Sequence, residues 1–223
     1  MVEFTFWDIA RQLLLALRWT VGLSLIAFVC GGLLGLGLLV LRLSKLPGAV
    51  RGVSLYVQLF QGTPLLMQLF LTYFGMALIG IETSALMAAA VCLTLYSAAY
   101  LCDIWRGCVE AVPHGQWEAS SCLAMSFTEQ LRHVILPQAM RLSIPGWANE
   151  FSILLKDSAL CFVLGTPEIM ARTHFVASRT YEHLPLYITA GLLYFGITLV
   201  GVHILRVLER KVHIPGYAVS GSM

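Results

Sequence analysis

Apolar residues in this chain fall in long unbroken blocks, without the alternation expected of a half-buried surface element. Charge-free runs cover 19–41, 52–81 and 83–102, each long enough for the roughly 20 residues that cross a hydrocarbon core. Membrane-crossing helices are therefore predicted at 19–41, 53–80 and 83–104. A fourth, at 142–165, contains Pro145, Glu150, Lys156 and Asp157, and a fifth, at 184–206, is clean apart from His203. The pattern predicts an all-α integral membrane protein with about five spans in one domain over 19–210, followed by a tail at 211–223. Ahead of the spans, residues 1–18 read as an interfacial helix from Phe4 to Leu17, with Trp7 and Trp19 suited to the headgroup region. Glu3 and Asp8 and the lack of a small-residue cleavage site argue against a removed signal peptide. Composition agrees: 58% apolar residues, 12% charged and a mean hydropathy of +0.81 exceed what a soluble domain carries.

Basic loops stay cytoplasmic, so Lys and Arg set the orientation. Arg42, Lys45 and Arg51 lie in the first connection, Arg106, Arg132 and Arg141 in the third, and Arg206, Arg210 and Lys211 at the end. With five spans these share one side, which puts the N-terminus outside and the C-terminus inside. Arg11, Arg18, Arg172 and Arg179 then fall on the outer side.

Catalytic and metal chemistry find little support. Cys30, Cys92, Cys102, Cys108, Cys122 and Cys161 have no CxxC spacing and mostly sit in apolar runs, which suits small buried hydrophobes. The six histidines are scattered, and no HExxH, GxSxG or P-loop pattern occurs. No catalytic or metal residue is expected, and any ATP use must come from another chain. Gly31 and Gly35 have the GxxxG spacing that lets helices approach in lipid, either within the chain or between subunits. In the second span Pro64 predicts a kink, and Gln61 and Gln68, seven apart, share a face if the kink is mild. They either line a pathway or make packing hydrogen bonds.

One polar module at 106–141 interrupts the membrane segments. Pro113, His114 and Gly115 signal a turn, and a short helix from Gln116 to about Ala124 follows, with Trp117 and Leu123 as its apolar anchors. Ser126 and Glu129 have capping-box spacing for a second helix that ends near Leu136, where Pro137 limits continuation. This helix-turn-helix has too few basic residues to bind nucleic acid.

Glu118-Ala119-Ser120, then Ala124 four residues on, then Val134, Leu136 and Pro137, resemble the EAA pattern of permease subunits of ATP-binding cassette importers (EAA, three residues, Gly, nine residues, Ile, one residue, Leu-Pro). Ser120, Ala124 and Val134 replace that family's Ala, Gly and Ile. If the turn at Ala124 needs a positive φ, a non-glycine residue costs about 1 kcal/mol. YVQLFQGTPLLMQLF at 56–70, SAAYLCDIWRG at 97–107, GQWEA at 115–119, LPQAMR at 136–141 and NEFSILLKDSAL at 149–160 resemble the polar amino-acid uptake branch, over roughly residues 10–210. Gln61 stands where that branch usually has Arg, and Asp103 where it has Glu.

The resemblance implies a type I importer permease in a bacterial inner membrane. Such a subunit has no catalysis or cofactor of its own. It pairs with a second permease, identical or paralogous, with two ATPase subunits that use ATP and Mg, and with an extracytoplasmic amino-acid-binding protein. Gly115, Gln116, Glu118, Ala119, Ser120, Ala124, Leu136 and Pro137 would form the coupling to the ATPase. The solute path would lie between permease chains near mid-membrane. Asn149, Glu150 and Asp157, with Gln61, are the candidate substrate residues, since Glu150 and Asp157 share a stripe if their helix is continuous. Two carboxylates on one face suggest a preference for cationic amino acids. The alternative is a secondary transporter driven by an ion gradient, with those carboxylates as ion sites.

Overall fold

The computed structural model describes residues 6–44 and 46–212. Helix α1 (Phe6–Leu43) is followed by α2 (Pro47–Gly62), α3 (Leu65–Leu78) and α4 (Ala85–Glu110). Next come α5 (His114–Cys122), α6 (Phe127–Gln130), a π-helical turn (Leu131–Ile135) and α7 (Leu136–Leu142). The chain finishes with α8 (Ile144–Asp157), a 3₁₀ segment (Ser158–Leu164), α9 (Ile169–Thr180) and α10 (His183–Val212). Among the described residues there is no strand.

Three helices are long and apolar enough to cross a membrane: Trp7–Leu43, Ala85–Glu110 and His183–Lys211. The expected interfacial helix at 1–18 and span at 19–41 are one unbroken helix, because nothing between 6 and 43 removes a backbone donor or caps an end. The spans expected at 53–80 and 142–165 are both broken, the first into α2 and α3, the second into α8 and the 3₁₀ segment. Helix α9 fills the connection before the last span, which the sequence reading left without an element. Lys45, residues 1–5 and most of the tail, 213–223, lie outside the described residues.

Helix α4 is the axis of the bundle, with Ala88, Ala89, Cys92, Leu93, Ala98, Ala99 and Cys102 fully buried, and it packs most extensively on α1. Gly31 and Gly35 make that approach possible. A Cβ on Gly31 would sit 2.9 Å from Ser97 Cβ, and one on Gly35 would sit 2.9 Å from the carbonyl oxygen of Ala98. The GxxxG face is therefore used within the chain, against α4. Gly37, two residues on, would meet nothing within 4 Å.

The break between α2 and α3 is a designed joint. Pro64 has no N–H to donate to the carbonyl of Phe60 one turn back. Gln68 Nε2 donates there instead, at 2.9 Å, and also to the carbonyl and hydroxyl oxygens of Thr63 at 3.0 and 2.8 Å. Thr63 Oγ1 in turn donates to the Leu59 carbonyl at 2.7 Å. Gln68 is buried and Gln61 is exposed, so the two do not share a face. Gln68 takes the packing role.

A second polar seam ties α1, α8, α9 and α10. Ser24 Oγ donates to the Thr20 carbonyl at 2.9 Å and lies 3.3 Å from that of Leu154. Thr20 Oγ1 accepts from the Ile169 N–H at 3.3 Å. Glu168 is fully buried at the start of α9, where its carboxyl accepts from the N–H groups of Met170 and Ala171 at 2.7 and 2.6 Å and from the Tyr194 hydroxyl. Cap and crosslink are thus one side chain.

Replacing Gly35 by Ala drives a methyl into helix backbone and is expected to lower stability by about 1–3 kcal/mol, read as a lower melting temperature in detergent. Gly37→Ala should leave it unchanged or slightly raised, and equal melting of the two variants would contradict the close-approach assignment.

Candidate functional site

The polar module is a stiff hairpin outside the membrane bundle. Helix α5 ends in a Schellman arrangement: the Ala124 N–H donates to the Ser121 carbonyl at 2.9 Å and the Met125 N–H to that of Ser120 at 3.3 Å. Ala124 has φ 55°, in the left-handed region that favours glycine. The condition under which a non-glycine residue is costly at this position therefore applies. Ser126 then opens the next helix with a full capping box: its N–H donates to Glu129 Oε2 at 2.8 Å and its Oγ accepts from the Glu129 N–H at 3.4 Å. Those bonds hold the Glu129 carboxyl below the usual carboxylate range. Their contribution is therefore complete above that range and is lost as the pH falls through the lowered value. Gln130 Nε2 closes the hairpin by donating to the Met125 carbonyl at 2.8 Å and to Ser121 Oγ at 3.2 Å.

Pro137 does not end the second helix. The π turn at Leu131–Ile135, whose wider ring makes room for the proline, carries the rod on into α7. Gln138 Nε2 donates to the Val134 carbonyl at 2.8 Å and to Gln116 Oε1 at 3.2 Å, joining the rod to α5. Beneath the hairpin, Val109, Val112, Ile135 and Ala139 form a buried cluster flanked by Trp117, Leu131, Val134 and Leu136. Trp117 also stacks on Phe127, ring centroids 6.1 Å apart.

The hairpin sorts the predicted coupling residues into two sets. Ser120 is buried, its Oγ donating to the Trp117 carbonyl at 2.9 Å, and Leu136 is half-buried in the cluster. Gly115, Gln116, Glu118, Ala119, Ala124 and Pro137 face outward. Leu123 does too, at 76% exposed, whereas Trp117 packs beneath the hairpin. An exposed leucine at the tip of a rigid polar hairpin is a knob without a socket in this chain.

The candidate substrate residues also divide. Asn149 and Gln61 are exposed, Asp157 is half-buried at the end of α8, and Glu150 is 1% exposed. Glu150 Oε1 has no hydrogen-bond partner among the described residues. The Ser97 hydroxyl lies beside the carboxyl without a bond of normal geometry. Tyr96 is close enough to feel both Glu150 and Asp157. A buried polar atom left unpaired costs about 1–3 kcal/mol, so the site stores a demand for a donor. The packing reading of Gln68 holds, at a proline joint the sequence reading did not pair it with, whereas Glu168 was left without a role. A glutamine four residues after a proline was a signal for the first; the Tyr194 partner of the second lies too far along the chain to be read.

Among the described residues the bundle thus combines three long apolar helices with a projecting polar hairpin. The family described as binding-protein-dependent transport system inner membrane component matches residues 49–214, and the chain belongs to it. It is 35% identical over 193 residues, 86% of this chain and 85% of the relative, to the probable amino-acid ABC transporter permease protein YckA of Bacillus subtilis (strain 168). It is 33% identical over 193 residues, 86% of this chain and 88% of the relative, to the arginine transport system permease protein ArtQ of the same organism. A solved amino acid ABC transporter with histidines superposes with a TM-score of 0.87 at 31% identity, covering 94% of this chain and 100% of that one. The MetNI methionine ABC transporter in an inward-facing conformation shares the fold, with a TM-score of 0.78 at 21% identity, over 96% of this chain and 100% of that one. These likenesses leave no support for the ion-driven transporter.

Ala124→Gly should relieve the left-handed strain and stabilise the hairpin by about 1 kcal/mol, whereas Ala124→Val should destabilise it by more. Limited proteolysis at the 123–126 turn reads both, and faster cleavage of the glycine variant would count against the strain.

Proposed function

We propose that this chain is the membrane-spanning permease subunit of an ATP-binding cassette importer of amino acids in a bacterial inner membrane. It forms the solute path with a second permease chain and takes its motion from two ATPase subunits, which use the ATP and Mg. An extracytoplasmic binding protein delivers the amino acid. The N-terminus lies outside and the C-terminus in the cytoplasm, in keeping with Arg42, Arg51, Arg106, Arg132 and Arg141 on the hairpin side.

The observation that carries this reading is the hairpin itself. It is stiffened at every joint yet turns Glu118, Ala119 and the 76% exposed Leu123 outward. A partner ATPase that grips this tip differently with and without nucleotide would shift the permease between two states, which uniform contact could not do. Leu123→Asp should leave the chain inserted and folded. Hydrolysis stimulated by loaded binding protein should fall at least tenfold, and full stimulation in that variant would end the lever idea.

The solute reading is a preference for amino acids with a positive side chain. It is supported by the unpaired, buried Glu150 oxygen and the adjacent Asp157. Glu150→Gln should cut uptake of arginine or lysine roughly 10–100-fold, the worth of a charge-assisted hydrogen bond, and that of glutamine much less. Equal losses for cationic and neutral solutes in a transport assay would remove the preference.

A further inference from the structure

Two cavities on the outer half of the bundle share a wall, and neither belongs to the hairpin or to the Glu150 region. The smaller, about 240 Å³, lies between α1 and the start of α9 and is lined by Gln12, Ala16, Arg18, Trp19, Pro167 and Arg172. The larger, about 650 Å³, is a groove between α1 and α4 that also begins at Arg18 and Trp19 and continues along Leu23, Ile26, Leu86, Met87 and Ala90. Two guanidiniums therefore line one small cavity that opens beside a long apolar groove. No carboxylate is among the residues lining either cavity.

The charges are not neutralised from nearby. Among the described residues neither Arg18 nor Arg172 has an ion-pair partner. Arg18 lies over the Trp19 ring, 5.4 Å from its centroid, a contact that orients the cation and leaves its charge in place. Glu168, next to Pro167, is fully buried with its carboxyl held by Met170, Ala171 and Tyr194. Charge of this sign also runs against the tendency of basic residues to collect on the cytoplasmic side.

The groove has the dimensions of one leaflet. From Arg18 to Ile26 the helix rises about 12 Å at 1.5 Å per residue, close to half of a hydrocarbon core about 30 Å thick. Its polar end lies level with Ser84, which caps α4 through the Met87 N–H at 3.2 Å, and its floor is apolar throughout. Ile26 and Met87 are exposed along it, so a hydrocarbon chain can enter from the side.

We infer that these paired cavities form a binding site for an anionic phospholipid of the outer leaflet, the headgroup phosphate between Arg18 and Arg172 and one acyl chain along the α1–α4 groove. The lipid would bridge α1, α4 and α9 at the end of the bundle where α1 carries its outer arginines. The inference uses the membrane fold alone, so it stands or falls apart from the transported solute and from the coupling to an ATPase.

The test uses the full-length chain purified in mild detergent with whatever subunits accompany it, with phosphatidylglycerol and phosphatidylcholine of identical acyl chains titrated and bound lipid counted by native mass spectrometry. The wild type should retain phosphatidylglycerol selectively. The double variant R18Q/R172Q should bind it about thirtyfold more weakly, matching about 1 kcal/mol for each basic contact. Arg11→Gln, at a position that lines neither cavity, should bind as the wild type does. Met87→Trp, which fills the groove and spares both arginines, should also lose the lipid. Equal retention of the two lipids, or unchanged retention in the double variant or in Met87→Trp, would overturn the site. So would full displacement by equimolar glycerol phosphate, which would mark a free-anion site, or a disulfide between protomers carrying Met87→Cys, which would mark a protein interface.

Discussion

Every backbone polar group that lies in hydrocarbon must find its partner within the protein, and that demand shapes this structure more than any single contact. Long helices meet it by themselves, as α1, α4 and α10 do. A span that breaks cannot, and both breaks here come with repair. Gln68 takes over the Phe60 carbonyl that Pro64 leaves empty, and Thr63 answers the Leu59 carbonyl. Around the second break, Ser24, Thr20 and Glu168 supply donors and acceptors where α8, the 3₁₀ segment and α9 change direction. The breaks are thus kept as fixed joints, and fixed joints can transmit a rotation.

The same logic of stiffness holds outside the bilayer. The hairpin is closed by a Schellman turn, a capping box and the Gln130 and Gln138 crosslinks. It even accepts an alanine in a left-handed turn. Its apolar base around Ile135 and Val109 sits against the end of α4, which in turn carries Ser97 beside Glu150. Hairpin, axis helix and buried carboxyl are one contiguous packed path.

Glu150 and Glu168 illustrate two fates of a buried carboxyl. Glu168 has each oxygen engaged, caps α9 and ties it to α10, so its burial is structural. Glu150 has one oxygen without a hydrogen-bond partner among the described residues, with the Ser97 hydroxyl beside the carboxyl. Burial of a polar group without a partner persists only where something else favours it.

Much of the architecture was readable from the sequence. Charge-free runs marked the long helices α1 and α4, the Ser126 to Glu129 spacing gave the capping box, and the Pro113 to Gly115 turn signal marked the start of the hairpin, because each rests on residues close together along the chain. The chain alone even set the question at Ala124, where a glycine-favouring turn met a residue with a Cβ. Tertiary structure decided the rest: that Gly31 and Gly35 face α4, that Gln68 mends a joint while Gln61 looks outward, that Leu123 is free, that Pro137 is accommodated by a π turn, and that Arg18 and Arg172 meet at one cavity. Those outcomes depend on which helices lie side by side, and hydropathy, which sees only the preference for lipid over water, does not encode the neighbour.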